Sequence, residues 1–277
     1  MRNVILMAAV SLLLGTTSAA QAAGDRVPAP KQSWSFQGLF GTFDRGAVKR
    51  GSQVFFEVCN ACHSLDMVSY RNLVEIGLDE EAVKALASEY EVQDGPNDEG
   101  DMFMRPARLS DHVVAPYANE KAARFSNGGA FPPDLSVITK ARVGGPDYIY
   151  GLLTGFTDAP EGFELAEGMS YNTYFPGHQI VMSPPLDDDM VEYDDGTPAT
   201  LAQSSKDVVT FLAWTAEPEL EERKSLGVKV LMYLILLTAM LYVLKRRIWN
   251  RICLDEYTHG PYVEEFQKNL DNHKLPG

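Results

Sequence analysis

Cysteine is almost missing from this chain: of 277 residues only Cys59, Cys62 and Cys253 are cysteines. That scarcity excludes a disulfide framework and a four-thiolate zinc site. Basic residues are scarce over residues 24–224, where 16 Lys and Arg stand against 33 Asp and Glu, while residues 225–277 carry seven against five. The excess behind the overall charge of −14 thus lies in the first stretch. An acidic field repels nucleic acid and attracts a basic partner, with an attraction that salt screens. Internal repeats are absent. Long apolar runs are limited to two, one at each end.

The first run opens the chain. Arg2 is a basic n-region, Val4 to Leu14 an apolar core too short to span a bilayer, and Ala20-Gln21-Ala22 a small-residue cleavage site. Residues 1–22 therefore read as a secretory signal, with the mature chain starting at Ala23. The second run, Val230 to Leu244, extends to about 22 residues between Gly227 and Trp249, near the ~20 needed to cross a bilayer. Lys229 precedes it, and Lys245, Arg246, Arg247 and Arg251 follow, which places the basic end in the cytoplasm. The expected organisation is a signal over 1–22, an exported domain over 23–224, a transmembrane helix over 225–249 and a cytoplasmic tail over 250–277. Exposed His259 and His273 fall on the cytoplasmic side.

Within the exported domain, residues 59–63 read Cys-Asn-Ala-Cys-His. C-x-x-C-H is the spacing that attaches a c-type haem. Two thiols add to the porphyrin vinyl groups, and the adjacent His63 ligates iron from the proximal face. No Trp-Cys-Gly-Pro-like context marks a thioredoxin dithiol, and export suits covalent haem, which is attached outside the cytoplasmic membrane. The second axial ligand decides the chemistry: a His/Met pair closes the iron and raises its potential for electron transfer, whereas an open site can bind a small molecule. Met67, Met102, Met104, Met169, Met182, Met190, His112 and His178 are the candidates. Met67 is too close to His63 to reach the opposite face. Met182 is favoured, because Ser183-Pro184-Pro185 stiffens the loop after it and Ile180-Val181 would line an apolar pocket. A buried methionine can equally be core filler.

The pattern predicts a mainly α haem domain with long ordered loops and one C-terminal transmembrane helix. Helices are expected over 44–59 with Asp44 as N-cap, 79–90, 119–126, 146–154 begun at Pro146, and 204–213. Residues 93–101 and 158–198, rich in Gly, Pro and acids, are expected to be loop.

Longer motifs then carry a family resemblance. They are residues 34–44 (Trp34 to Asp44), Ser64-Leu65 after the haem motif, Tyr70-Arg71-Asn72-Leu73, residues 127–136 (Asn127 to Ser136), Tyr174-Phe175-Pro176-Gly177, residues 195–200, Ala216 to Glu219 and Arg223-Lys224. In this order they resemble the cytochrome c1 family, over nearly all of the mature chain to about Arg251. The resemblance implies the c-type haem subunit of the cytochrome bc1 complex, a quinol:cytochrome c oxidoreductase. It implies one covalent haem c on Cys59 and Cys62, axial ligands His63 and Met182, and Arg124 meeting a haem propionate. Implied too are cytochrome b and the Rieske iron-sulfur protein as partner subunits in a dimeric complex, and a basic cytochrome c or c2 as acceptor. No catalytic residue is implied, since no substrate bond changes on this subunit. Two departures stand out, Ser183 where Ala or Pro is frequent and His112 where Tyr is common. Some bacterial relatives carry an extra cysteine pair in this domain; without it, the Met182 loop is expected to be held by packing alone. Two other readings remain open from the residues: a haem enzyme or sensor with an open sixth site, and a haem-free dithiol module.

Overall fold

A computed structural model describes residues 27–259, 262–265 and 268. The expected signal segment, the start at Ala23, His273 and the side chains of Cys253 and His259 lie outside what is described. The chain parts into two compact units, Met1–Pro218 and Glu219–Gly277.

In the first unit, helix α1 (Arg45–Glu57) starts where the Asp44 carboxylate accepts from the Gly46 and Ala47 amides at 2.9 and 3.2 Å. This satisfies donors that no helical carbonyl can reach. The helix stops two residues short of the expected end, because the chain tightens into a 3-10 turn over Cys59–Ala61. Its apolar face, Val48, Val54 and Phe55, is fully buried against the helix Leu201–Ala216, labelled α7 below. Gly51 makes the close approach possible: a Cβ there would lie 2.0 Å from the Asp207 carbonyl oxygen. Phe55 and Phe211 meet at 5.7 Å between ring centroids. Arg50 locks the pair, with Nε 2.8 Å from Asp207, which is buried, and Nη1 2.7 Å from Asp195.

Further along come α2 (Asn72–Glu75), α3 (Glu80–Ser88, capped by Asp79), α4 (Glu120–Ser126, capped by Asn119), α5 (Ile138–Ala141) and α6 (Gly145–Thr154). α6 carries Pro146 in its first turn, as expected. Residues 34–44 fold onto α6: the Trp34 indole donates to Asp147 at 2.7 Å and its ring meets Tyr150 edge-on. α7 outruns the expected 204–213 at both ends, starting on the Thr200 hydroxyl cap and running buried almost throughout.

Single-turn α2 and α5 were too short for a periodic signal. A hairpin also replaces part of the expected 93–101 loop: β1 (Glu91–Asp94) pairs antiparallel with β2 (Phe103–Pro106), with Glu91 opposite Pro106. Four-residue strands carry no clear alternation. The hairpin is held by Arg105, which bonds Asp94 and sits 2.6 Å from Asp111. The expected loop over 158–198 contains only β3 (Ser170–Tyr171) and β4 (Gln179–Ile180), paired antiparallel. Together with the long apolar helix of the second unit, the fold is the mainly α one expected.

The second unit is helix α8, Leu220–His259. Glu221 and Glu222 occupy its first turn, where acids complement the helix dipole. Leu220–Asn250 is long and apolar enough to cross a membrane, and its apolar side chains from Val230 to Leu244 are largely exposed. A helix apolar all round needs lipid or protein about it.

Candidate haem and iron site

The haem motif sits where α1 ends. In the 3-10 turn the Cys62 and His63 amides both donate to the Cys59 carbonyl, at 3.1 and 2.9 Å. One turn of chain thus presents both thiols and the imidazole. Cys59 is half-buried, Cys62 exposed, and neither is in a disulfide. Burial, with the neighbouring thiol adding to it, pushes the Cys59 thiol up to about 12. Its thiol is held as S–H and is poorly suited to thiolate redox chemistry.

The His63 ring is oriented by a hydrogen bond from Nδ1 to the Pro133 carbonyl oxygen at 2.8 Å. A carbonyl only accepts, so Nδ1 holds the proton and Nε2 keeps its lone pair for a metal. Burial lowers the ring's pKa, with the Pro133 contact and Asp134 opposing weakly, and keeps it in the neutral, ligating form.

Residues 127–136 form the common neighbour of the site's parts. Asp134 ties the segment to the stretch after the haem motif: Oδ2 accepts from the Ser64 hydroxyl at 3.0 Å and the Asp66 amide at 2.7 Å, and Oδ1 from the Ser136 amide. Leu135 donates its amide to the Ser64 carbonyl. At the other end, Arg124 on α4 donates to the Gly129 carbonyl at 3.0 Å, pairs with Glu120 at 2.7 Å and lies 5.7 Å over the Phe131 ring. Three of its five N–H groups are engaged, which leaves two for an anion at the rim.

The same segment runs close to the methionine loop: a Cβ built on Gly128 (φ +59°) would lie 3.7 Å from Val181 Cγ1. Met182 itself is half-buried. Of the other candidates, Met67, Met102, Met104 and Met190 are each more than half exposed, and Met169 is half-buried. His112 is exposed, in a bridge to Ser69. His178 is stacked on Tyr171 and its Nδ1 lies 3.3 Å from the Asn172 carbonyl oxygen. Hydrogen bonds along β3 and β4 and around Asn172 fix the chain that leads into this loop.

A family model described as "Cytochrome C1 family" matches residues 34–252. The chain belongs to the cytochrome c1 family. It is 52% identical over 241 residues to "Cytochrome c1 1, heme protein, mitochondrial" of Arabidopsis thaliana, covering 86% of this chain and 78% of that protein. It is 49% identical over 262 residues to "Cytochrome c1" of Rhodospirillum rubrum, covering 89% and 96%. A third relative, "Cytochrome b/c1" of Bradyrhizobium diazoefficiens, is 48% identical over 268 residues, covering 89% of this chain and 39% of that longer protein.

The donor set suits the family's cofactor. Two unpaired thiols, a neutral imidazole with its proton pinned away from Nε2 and a half-buried thioether are the groups a c-type haem takes. Among the described residues no group of three or more His, Cys, Asp or Glu side chains is placed to hold a metal ion. Sequence reasoning passed over Pro133 and Asp134. The Pro132-Pro133-Asp134 run was visible, but a carbonyl's role is not written in a residue type.

Proposed function

We propose that this chain passes single electrons from the Rieske iron-sulfur protein to a basic cytochrome c or c2, as the membrane-anchored c-type cytochrome subunit of the bc1 complex. The cofactor is one covalently bound haem c. In the proposed arrangement Cys59 and Cys62 hold it by thioethers, His63 and Met182 are its axial ligands, and Arg124 meets a propionate. The observation that carries the reading is His63, which lies beside two free thiols on one turn and is oriented by the Pro133 carbonyl. When bound, haem supplies a one-electron iron couple, raised by a His/Met pair.

The protein's own contribution is to hold and insulate. Burial keeps the imidazole neutral, the Pro133 carbonyl aims it through its Nδ1 proton, Asp134 holds the two stretches around it together, and Arg124 offers two N–H groups where a guanidinium can neutralise a carboxylate. We place the domain over 23–224 in the periplasm, the span over 225–249 in the inner membrane and residues 250–277 in the cytoplasm, from the basic residues that follow the apolar helix. Cytochrome b is the proposed membrane neighbour, in a dimeric complex.

The acidic surface is proposed to steer the acceptor, and electrostatics of this kind sets on-rate more than affinity. The test is stopped-flow reduction of a basic cytochrome c by the purified complex, comparing wild type with an Asp187→Lys, Asp189→Lys variant; both residues are exposed and follow the proposed ligand closely. A bimolecular rate several-fold lower at low salt, converging with wild type at high salt, is expected. Equal effects at both ionic strengths contradict steering, and failure of quinol to reduce the haem at all contradicts the relay.

A further inference from the structure

We propose that Asn172 is the positioning residue that sets where the segment carrying Met182 runs, by clamping the root of the β3–β4 hairpin that precedes it to the C-terminal end of α6. The inference rests on the reading of Met182 as an iron ligand. Asn172 is polar yet fully buried, ten residues before Met182 and in none of the motifs that pointed to the haem.

Its amide is used on both sides. Nδ2 donates to the Leu152 carbonyl at 2.8 Å, one of the last four carbonyls of α6, which have no donor within the helix. Oδ1 accepts from the Tyr174 and Phe175 amides at 3.0 and 3.2 Å, shaping the turn that reverses the chain. Its backbone amide donates to the His178 carbonyl at 3.0 Å, closing the hairpin, and the next amide, Thr173, donates to the Gly155 carbonyl at 2.9 Å. An antiparallel bridge joins Asn172 to Phe156.

Sterics fix the same root. A Cβ on Gly155 would lie 2.5 Å from Tyr174 Cδ2, and one on Gly151 would lie 3.3 Å from it. The Tyr174 ring therefore occupies a slot that two side-chain-free positions leave at the end of α6. From this root the register runs without slack: Tyr171 pairs with Gln179 and Ser170 with Ile180. Met182 follows Ile180 by only two residues, in a bend directly after β4. A shift at Asn172 passes along this short ladder to the sulfur.

The residue type is as specific as the place. An aspartate keeps both acceptor contacts but sets a carboxylate against the Leu152 carbonyl. An alanine leaves that carbonyl and two amides without partners in a buried place. Only a side chain with a donor and an acceptor in one plane serves all three.

The experiment uses purified complex carrying Asn172→Asp, Asn172→Ala or Met182→Leu, and reads the long-wavelength sulfur-to-iron charge-transfer band of the ferric haem and carbon monoxide binding by the ferrous haem. The Asn172→Asp protein should keep its covalent haem, lose most of the band and bind carbon monoxide at neutral pH. The band should return as the buried carboxyl is protonated, because a carboxylic acid regains the donor that Leu152 needs. A band that stays intact in Asn172→Asp, or stays lost at every pH, overturns the proposal. If neither Asn172 variant assembles, wild type decides. In a urea titration of wild type the band should vanish together with hydrogen-exchange protection of the amides of residues 172–175. A band that outlives that protection overturns the clamp. The Met182→Leu arm separates the two readings: a band retained there refutes the ligand assignment, whereas a band lost there and intact in Asn172→Asp refutes only the positioning role.

Discussion

The His63 side and the Met182 side of the proposed haem site are built by different means. His63 hangs from the end of a thirteen-residue helix whose far face is cemented to α7 by Phe55, Phe211 and the Arg50–Asp207 pair. Met182 sits in the 46 residues of chain (155–200) between α6 and α7, whose only regular structure is two strands of two residues. The first side is rigid because apolar surface is buried between regular elements. The second is ordered by individual hydrogen bonds, many of them from side chain to backbone and centred on Asn172. One side tolerates changes that preserve volume, and the other depends on particular polar atoms.

The largest expected effect removes the common element of both sides. A Cys59→Ser, Cys62→Ser double variant should show no covalent haem on a denaturing gel, and apo-protein should fail to assemble; covalent haem that persists would detach the motif from its role. Next is the cement of the histidine side. Asp207 is 1% exposed, and its carboxylate holds Arg50 further into its charged form. Asp207→Ala should destabilise the haem domain by about 3–5 kcal/mol, the range for breaking a buried pair. The sulfur-to-iron band should stay normal until the domain unfolds. Loss of the band well below the unfolding transition would erase the distinction between the two sides.

A smaller effect probes a region that belongs to neither side. Arg105 holds both Asp94 and Asp111 below the ordinary carboxylate value of 3.8. Groups whose folded pKa is lowered give stability that is complete above the ordinary value and is lost as pH falls through the folded one. The Tm difference between wild type and Arg105→Met should therefore be greatest above about pH 5 and close as pH falls toward about 2, with the haem spectrum unchanged throughout. A difference that grows on acidification would reverse the sign. The smallest effect concerns α4, which leads into the segment both sides share. Asn119 caps α4 through the Ala122 amide at 3.0 Å, so Asn119→Ala should cost about 1 kcal/mol by chemical denaturation; a cost above about 3 kcal/mol would mean that α4 carries more than a cap.

Legibility from sequence follows the same division. α1 and α6 were readable because an N-cap or a first-turn proline meets an apolar period, and the haem motif was readable because its spacing is itself chemistry. Met182 was readable in part, through Pro184 and Pro185 and the family resemblance. Pro133 and Asn172 were not. One acts through a carbonyl that every residue type possesses, the other through contacts spread between residues 152 and 178, and neither leaves a local period. The β1–β2 hairpin escaped for the related reason that its hold is Arg105, a side-chain contact across its two strands and on to Asp111.

The measurement that tests the account most directly is the spectrum and midpoint potential of the ferric and ferrous haem in complexes carrying wild-type chain and Met182→Leu. The account predicts that the variant loses the sulfur-to-iron band, binds carbon monoxide when reduced and falls in potential by a sizeable part of the ~0.8 V that axial ligands span. A variant with the wild-type band and potential would contradict it, and would return the sixth iron position to another residue or to an exchangeable ligand.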